Sequence, residues 1–166
     1  SPIVVITGAT NGIGLATKKL METKGVGTIV CDRENNDEPN YRFLDLMNSE
    51  SIAECVRSIP DGIDALINCA GVAPINHPNE AVLQVNWLGT KSLTEQVLPK
   101  IKPTGSVTTV ASRAGANWEA NVIQLKRFLT ASNDDVIRIC DIDSLTPARA
   151  YELSKELLIY LFIHLI

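Results

Sequence analysis

The sequence predicts an α/β fold with a doubly wound parallel sheet, and three features support this. Short runs rich in β-branched residues alternate with helical patterns, as expected when helices cover both faces of a parallel sheet. Three glycines follow the first apolar run, where a strand would turn into a helix. The 166 residues are 45% hydrophobic and 20% charged, which suits one domain with a sizeable core.

The predicted strands and helices alternate along the chain. Five apolar runs are assigned as strands: Ile3–Ile6, Thr28–Cys31, Tyr41–Leu44, Ala65–Asn68 and Ser106–Ala111. Helical periodicity predicts four main helices: Gly12–Lys24, Ser49–Ser58, Asn79–Ile101 and one that starts at Pro147. No linker or internal repeat interrupts them, so a single domain is predicted over residues 1–166.

Two segments depart from simple alternation. The polar link "DRENNDEPN" after the second strand is too short to hold a crossover helix. Residues 116–146 form an insertion before the last helix. Its apolar residues Trp118, Val122, Leu125 and Leu129 follow a helical period, which predicts a helical insert.

Charge and cysteine content argue against several classes of protein. With 15 basic and 19 acidic residues, the net charge of −4 gives no concentrated basic footprint for a nucleic acid. The four cysteines and two histidines are not spaced as metal ligands, so reduced thiols in a reducing compartment are expected. The first apolar run is too short for a signal peptide, and "LLIYLFIHLI" is too short to cross a bilayer. A cytoplasmic protein without metal or membrane partners is predicted.

The stretch "TGATNGIG", Thr7–Gly14, predicts a Rossmann-type dinucleotide site. Gly8, Gly12 and Gly14 suit a tight turn in which the backbone approaches phosphates, and the amides and dipole of the next helix favour negative charge. Many loops contain three glycines. Here the preceding strand and the following helix supply the context that dinucleotide binding requires.

Asp32 ends the second predicted strand, 18 residues after Gly14 (32 − 14). A carboxylate there can accept both hydroxyls of an adenosine ribose and would repel a 2′-phosphate, so NAD is favoured over NADP. The neighbouring Arg33 complicates this, because a guanidinium could accept a phosphate. A solvated loop pair is the alternative.

Tyr151 and Lys155 are four residues apart in "AYELSKELL", which places them on one face of a helix. A nearby ammonium, together with a positively charged nicotinamide, favours the phenolate form of a tyrosine. Alone, the pair could equally be an ordinary surface pair. Ser112 lies just after the fifth strand and could be a simple strand-end hydroxyl without a catalytic role. Asn86 lies within a helix and could be an ordinary polar residue on its face.

Taken in order, these motifs resemble the short-chain dehydrogenase/reductase family from Ile3 to the last residue. They are "TGATNGIG", "LDL" with Asp45, "NCAG" at 68–71, "QVNWLGT" with Asn86, "VAS" with Ser112, and "YELSK". At the second position of "NCAG", this sequence has Cys69 where the family more commonly has Asn. The resemblance implies cofactor contacts at Gly8, Asn11, Gly12, Ile13, Gly14, Asp32, Asp45, Leu46, Asn68, Ala70, Gly71, Tyr151 and Lys155. Asp45 would hold the adenine amino group, and Asn68 would stabilise the sheet and the adenosine side.

The resemblance also implies catalytic roles. Tyr151 would exchange a proton with a secondary alcohol or ketone while hydride moves to or from the nicotinamide. Lys155 would favour the phenolate and bind the nicotinamide ribose. Ser112 would stabilise charge on the substrate oxygen, and Asn86 would hold a water that relays protons from Lys155.

The polar link and the insert resemble the bacterial 3α-hydroxysteroid dehydrogenase/carbonyl reductase group. This implies a homodimer that acts on a small alcohol or ketone, with steroids among the candidates. Trp118 would either cover a steroid ring or pack the insert. The chain is expected to lack the C-terminal strands of the family. The alternative function is therefore a truncated nucleotide-binding or oligomerising protein without catalysis.

Overall fold

The computed structural model describes residues 1–34 and 36–164, and its internal contacts define two compact units. The first unit contains Ser1–Ala70 and Ser92–Val110. The second contains Gly71–Lys91 and the described residues from Ala111 onward. The extent of a single domain over 1–166, with an insert at 116–146, stays a prediction.

The first unit contains a five-stranded parallel sheet of order β3-β2-β1-β4-β5. Its strands are β1 (Ile3–Thr7), β2 (Gly27–Asp32), β3 (Tyr41–Phe43), β4 (Ile63–Asn68) and β5 (Ile101–Thr109). The helices α1 (Gly12–Thr23) and α2 (Ser49–Ser58) connect β1 to β2 and β3 to β4. Because β1 pairs with both β2 and β4, the strand order reverses at β1. The predicted doubly wound α/β fold is confirmed.

The centre of this sheet is apolar because its strands are buried on both faces. Val4, Val5 and Ile6 of β1 are all buried, although successive side chains of a strand point to opposite faces. Val30 of β2 and Ile67 of β4 pack in the same cluster as Val4 and Ile6. This packing fixes the ends of β1, β2 and β4, where the predicted nucleotide-binding residues follow.

The predicted helix Asn79–Ile101 is divided into several pieces. It consists of α3 (Asn79–Leu83), a π-helical segment (Gln84–Gly89), α4 (Thr90–Val97) and a 3₁₀ turn (Leu98–Lys100). Pro99 lies in that last turn, and a proline nitrogen cannot donate a hydrogen bond to the preceding turn of an α-helix. The α-helix therefore ends before Ile101, which begins β5.

The second unit is helical. Two 3₁₀ turns, Arg113–Gly115 and Trp118–Asn121, precede α5 (Val122–Phe128), α6 (Asn133–Ile142) and α7 (Pro147–His164). The insert is thus helical as predicted, but Trp118 lies before the first α-helix and Leu129 follows it. The side chains buried in the core of this unit are Leu83, Trp87, Leu125, Phe128, Val136, Ile139, Cys140, Leu153, Leu157, Leu158 and Leu161.

Some predictions concern segments at the margin of the described chain. The polar link contains no helix at 33–34 or 36–40, and residue 35 lies outside the described residues. The last two positions of the predicted final helix lie outside them as well. Within residues 1–34 and 36–164, no helix is long and apolar enough to cross a membrane, and no group of three potential metal ligands is found.

Candidate functional site

The glycine turn after β1 adopts backbone conformations that favour glycine. Gly8 and Gly12 have φ angles of +66° and +56°. A Cβ on Gly8 would lie 2.8 Å from the backbone of Ala70, and one on Gly14 would lie 2.2 Å from the carbonyl oxygen of Gly8. A Cβ on Gly12 would meet no atom of the described residues within 4 Å. The turn is therefore closed at Gly8 and Gly14 and open at Gly12.

The start of α1 presents backbone amides next to this open position. Asn11 is the N-cap residue, but its side chain accepts no capping hydrogen bond, and the first turn contains no acidic residue. Asn11, Gly12 and Ile13 are all exposed. Because the first amides of a helix have no intrahelical acceptor, this end suits an anionic group such as a pyrophosphate.

The Asp32 carboxylate is fixed at the end of β2, beside the glycine turn. Its Oδ2 accepts from the amide and the hydroxyl of Thr10, at 3.2 and 2.8 Å. Its Oδ1 accepts from the amide of Arg33 at 2.7 Å. The carboxylate is half-buried and the Arg33 side chain is exposed. An oriented carboxylate of this kind can accept hydrogen bonds from the hydroxyl groups of a sugar.

Asp45 and Leu46 follow β3 in a loop held by local hydrogen bonds. The amide of Asp45 donates to Ser51 Oγ at 2.9 Å, and Asp45 Oδ1 accepts from the amide of Met47 at 3.0 Å. Leu46 is buried. The contact of Asp45 with an adenine amino group stays a prediction.

Asn68 joins the end of β4 to its neighbours. Its Nδ2 donates to the hydroxyl groups of Thr94 and Thr109, at 3.0 and 3.2 Å, and Thr109 lies on β5. Asn68 Oδ1 is buried and has no hydrogen-bond partner among the residues that the structure describes. A buried acceptor of this kind is costly unless a bound donor satisfies it. This side chain therefore fits both roles that the sequence predicted, bracing the sheet and contacting a bound group.

The "NCAG" turn is tied back to β1 by one hydroxyl group. The amides of Cys69 and Ala70 both donate to Thr7 Oγ1, at 3.1 Å each. Thr7 was not among the predicted site residues. Its position at the start of "TGATNGIG" was the available signal.

In the second unit, Tyr151 and Lys155 lie together on α7. The Lys155 Nζ is 5.8 Å from the centroid of the Tyr151 ring. Lys155 is only 7% exposed, and this burial lowers the pKa of its ammonium because water no longer solvates the charge fully. Tyr151 is half-buried. The predicted same-face pairing is thus present, with a desolvated cation beside a phenol.

Gly71 approaches this pair closely through its backbone. A Cβ on Gly71 would lie 3.2 Å from Asn86 Oδ1 and 3.6 Å from Lys155 Nζ. A Cβ at position 71 would therefore crowd Asn86 Oδ1 and lie in van der Waals contact with the Lys155 amine. The glycine of "NCAG" keeps the space beside the lysine amine open.

The Asn86 side chain is fully buried in the π-helical segment and has three hydrogen bonds. Its Oδ1 accepts from the amide of Val72 at 2.8 Å, and its Nδ2 donates to the Val72 carbonyl at 2.9 Å. The Nδ2 also donates to Ser154 Oγ at 3.2 Å, and that hydroxyl donates to the Tyr151 carbonyl at 2.7 Å. The amide thus joins the 71–72 loop to α7, and its part in a water relay stays a prediction.

Sequence reasoning assigned no role to Ser154 and did not predict the Val72 peptide as a hydrogen-bond partner of Asn86. Ser154 lies inside "YELSK" and Val72 directly follows "NCAG", so adjacency to the motifs was the only signal.

Ser112 is the N-cap residue of the turn Arg113–Gly115. Its Oγ accepts from the amide of Ala114 at 3.1 Å, and the residue is half-buried. A Cβ on Gly115 would lie 2.9 Å from the backbone of Lys155, so this turn packs directly on α7. The contact of Ser112 with a substrate oxygen stays a prediction.

Trp118 packs against the C-terminal part of α7. Its ring lies edge-on to Tyr160 and His164, with centroid distances of 5.9 and 5.4 Å. Of the two sequence interpretations, packing of the insert is the one that this contact supports.

The predicted site residues are divided between the units. The first unit contains Gly8, Asn11, Gly12, Ile13, Gly14, Asp32, Asp45, Leu46, Asn68 and Ala70. The second contains Gly71, Asn86, Ser112, Tyr151 and Lys155. The first group can bind an anionic sugar nucleotide, and the second can exchange a proton through a phenol beside a cation.

A family model described as short chain dehydrogenase matches residues 2–124. A coniferyl-alcohol dehydrogenase from a Pseudomonas species is 38% identical, over 76% of this chain and 49% of that protein. A 3α-hydroxysteroid dehydrogenase/carbonyl reductase from Comamonas testosteroni is 31% identical, over 74% of this chain and 49% of that protein. Carbonyl reductase 1 from Mus musculus, whose name specifies NADPH, is 27% identical over 82% of this chain and 59% of that protein.

A solved 3α-hydroxysteroid dehydrogenase from Pseudomonas sp. B-0831, complexed with NADH, superposes with a TM-score of 0.80. It is 24% identical and covers 94% of this chain and 62% of that one. At this identity the likeness concerns the fold. The chain spans about half the length of the curated relatives that it matches.

Proposed function

Because this chain belongs to the short-chain dehydrogenase family, as its motifs predicted, we propose that it is an NAD(H)-dependent oxidoreductase that interconverts a secondary alcohol and a ketone. The buried Lys155 ammonium beside the Tyr151 ring carries the proposal. A cation held near a phenol stabilises negative charge that develops on the phenol oxygen while it exchanges a proton with the substrate. A surface pair would gain little, because water would screen the charge.

Residues of the first unit would hold the cofactor. The open position at Gly12 and the exposed amides of α1 suit its pyrophosphate, and the unpaired Asn68 Oδ1 suits a donor group. When bound, the nicotinamide supplies or accepts the hydride. The Asp32 carboxylate would accept the adenosine ribose hydroxyls, and its negative charge disfavours a 2′-phosphate. This supports NAD over NADP, although the exposed Arg33 lies next to it.

Residues of the second unit would move the proton. Tyr151 takes the hydroxyl proton of the alcohol during oxidation and returns it to the ketone oxygen during reduction. Lys155 stabilises the phenolate, and its burial keeps that attraction strong. Ser112 Oγ already accepts a bond from Ala114, which orients the hydroxyl so that it can donate to the substrate oxygen.

The names of the relatives suggest the substrate class. The Comamonas testosteroni protein is named for both a 3α-hydroxysteroid and a carbonyl substrate, so steroids and simple ketones are proposed as candidates. The resemblance to that group also supports a homodimer, and the cysteine content supports a cytoplasmic location. The four cysteines of the chain are all free, as expected in a reducing compartment.

The test is a titration of the natural full-length protein with NADH and NADPH, followed by a panel of hydroxysteroids, simple secondary alcohols and ketones. Tighter binding of NADH and turnover of at least one substrate are expected. Asp32→Ser should weaken NADH binding and improve NADPH binding. A native preference for NADPH would overturn the assignment of Asp32. Binding without any turnover would instead favour the non-catalytic nucleotide-binding alternative.

A further inference from the structure

An ion pair with a buried carboxylate lies on a different face of α7 from Tyr151 and Lys155. Arg149 and Glu156 are seven residues apart, which is two helical turns, so they share one face. At 3.6 residues per turn, Tyr151 and Lys155 are rotated by roughly 100° to 160° from the two residues of the ion pair. The two pairs therefore occupy different faces of the same helix.

The Glu156 carboxylate is held at both oxygens. Oε2 pairs with Arg149 Nη1 at 2.5 Å, and Oε1 accepts from Asn121 Nδ2 at 2.5 Å. Glu156 has no solvent exposure. Arg149 Nη2 also donates to Gln124 Oε1 at 2.7 Å. Asn121 and Gln124 belong to the insert, so each charge of the pair is bonded to a residue outside α7.

The network continues within the insert. Gln124 Nε2 donates to Asp143 Oδ2 at 3.2 Å, and Asp143 also pairs with Arg127. Gln124 and Arg127 lie on α5, and Asp143 directly follows α6. Both α5 and the end of α6 are thereby connected to the face of α7 that contains Arg149 and Glu156.

Such a network constrains the helix more strictly than apolar packing does. Hydrophobic contact is non-directional, so the leucines of α7 would tolerate a small rotation about its axis. A buried carboxylate loses its partners when it moves, and an unpaired buried charge is very unfavourable. The bonds of Glu156 and Arg149 therefore define one rotation and one axial position of α7.

We propose that Glu156 and Arg149, bound by Asn121 and Gln124, are positioning residues that set the rotation of α7. They thereby align the Tyr151–Lys155 pair with Asn86 and with the Ser112 turn, which both contact α7 within the same unit. They contact neither of the reacting groups in this role. The proposal rests on the proposed function for its catalytic consequence, whereas the structural constraint itself does not depend on turnover.

The test compares Glu156→Gln and Asn121→Ala with wild type in the natural full-length protein. Arg138→Gln is the matched control, since it breaks an exposed ion pair with Asp135 on α6. Because misplacement of a catalytic group by about 1 Å costs on the order of a hundredfold in rate, Glu156→Gln should lower kcat by about tenfold to a hundredfold. The pH profile of kcat should shift, and the Kd for NADH should stay within about twofold. Asn121→Ala should show a smaller loss of the same kind, and the control should show none.

A second measurement does not require activity. Amide hydrogen exchange of α7 in the cofactor-free protein should be faster in Glu156→Gln and Asn121→Ala than in wild type and the control. Unchanged exchange in both variants would overturn the proposal, as would a variant kcat and pH profile equal to wild type. If wild type turns over no substrate but the exchange result is as expected, the proposed function fails while the positioning network stands. If Glu156→Gln does not fold, Asn121→Ala decides, because it leaves the ion pair in place.

Discussion

Replacement of Asn86 by alanine should cost the protein about 2–3 kcal/mol of unfolding free energy. The substitution removes three hydrogen bonds, two to the Val72 peptide and one to Ser154. A neutral hydrogen bond contributes about 1 kcal/mol net. The half-buried Val72 peptide can recover part of this from water, and Ser154 keeps its bond to the Tyr151 carbonyl. The lost bonds therefore set the scale of the effect.

The assay is urea denaturation, with Asn79→Ala as the matched control. Asn79 has one side-chain bond, from Nδ2 to the Leu145 carbonyl at 2.6 Å, so its loss should cost about 1 kcal/mol. Asn86→Ala should therefore be clearly the less stable of the two. If Asn86→Ala loses less than about 0.5 kcal/mol, the hydrogen bonds assigned to its amide do not stabilise the fold, and the reasoning is refuted.

Three further predictions concern burial and the glycine turn. Lys155→Met should raise the free energy of unfolding most at neutral pH. Burial lowers the pKa of Lys155 in the native protein, so the unfolded chain binds more protons than the native chain between that lowered pKa and 10.5, and wild type regains stability as the pH rises through this window. Urea titrations of both proteins at pH 7 and 10 check this, and an equal stability difference at the two pH values would contradict it. Gly14→Ala should cost about 3 kcal/mol of unfolding free energy, because the added Cβ would lie 2.2 Å from the carbonyl oxygen of Gly8. Gly12→Ala should cost only about 1 kcal/mol, the penalty for its positive φ. Equal losses of the two variants in urea denaturation would contradict the geometry described for the turn. Burial raises the pKa of the Cys140 thiol to about 11. At pH 8, Cys140 in the native protein should therefore be alkylated about two orders of magnitude more slowly than an ordinary thiol. Mass spectrometry of the labelled protein measures this rate, and rapid labelling of Cys140 would contradict its burial.

The features predicted best from sequence are those set by local pattern. The strands β1, β2 and β4 are mostly apolar and buried along their central residues, so they stand out in the sequence as apolar runs. The glycine turn and the spacing of Tyr151 and Lys155 are equally local, because helix geometry alone places residues i and i+4 on one face.

The start of β5 was missed because its first residues lack that pattern. Lys102, Pro103 and Thr104 are all exposed, and the pairing with β4 shifts register between Ile63 and Ala65. An exposed strand segment with a proline resembles a loop in sequence.

The hydrogen-bond partners of site residues also could not be predicted. Asn86 and Val72 are 14 residues apart in different elements, and Glu156 and Asn121 are 35 apart. Such pairings depend on tertiary packing, which hydrophobic periodicity does not encode. The residue types were visible in the sequence, whereas their partners required the structure.

The most direct test of the proposed function is Tyr151→Phe in the natural full-length protein. This change removes one hydroxyl group and retains the ring beside the Lys155 amine. Turnover should fall by at least about a hundredfold, within the range typical of losing a general acid or base, while NADH binding and thermal stability stay close to wild type. A folded Tyr151→Phe protein that retains full NAD-linked turnover would contradict the assignment of the phenol as the proton-transferring group.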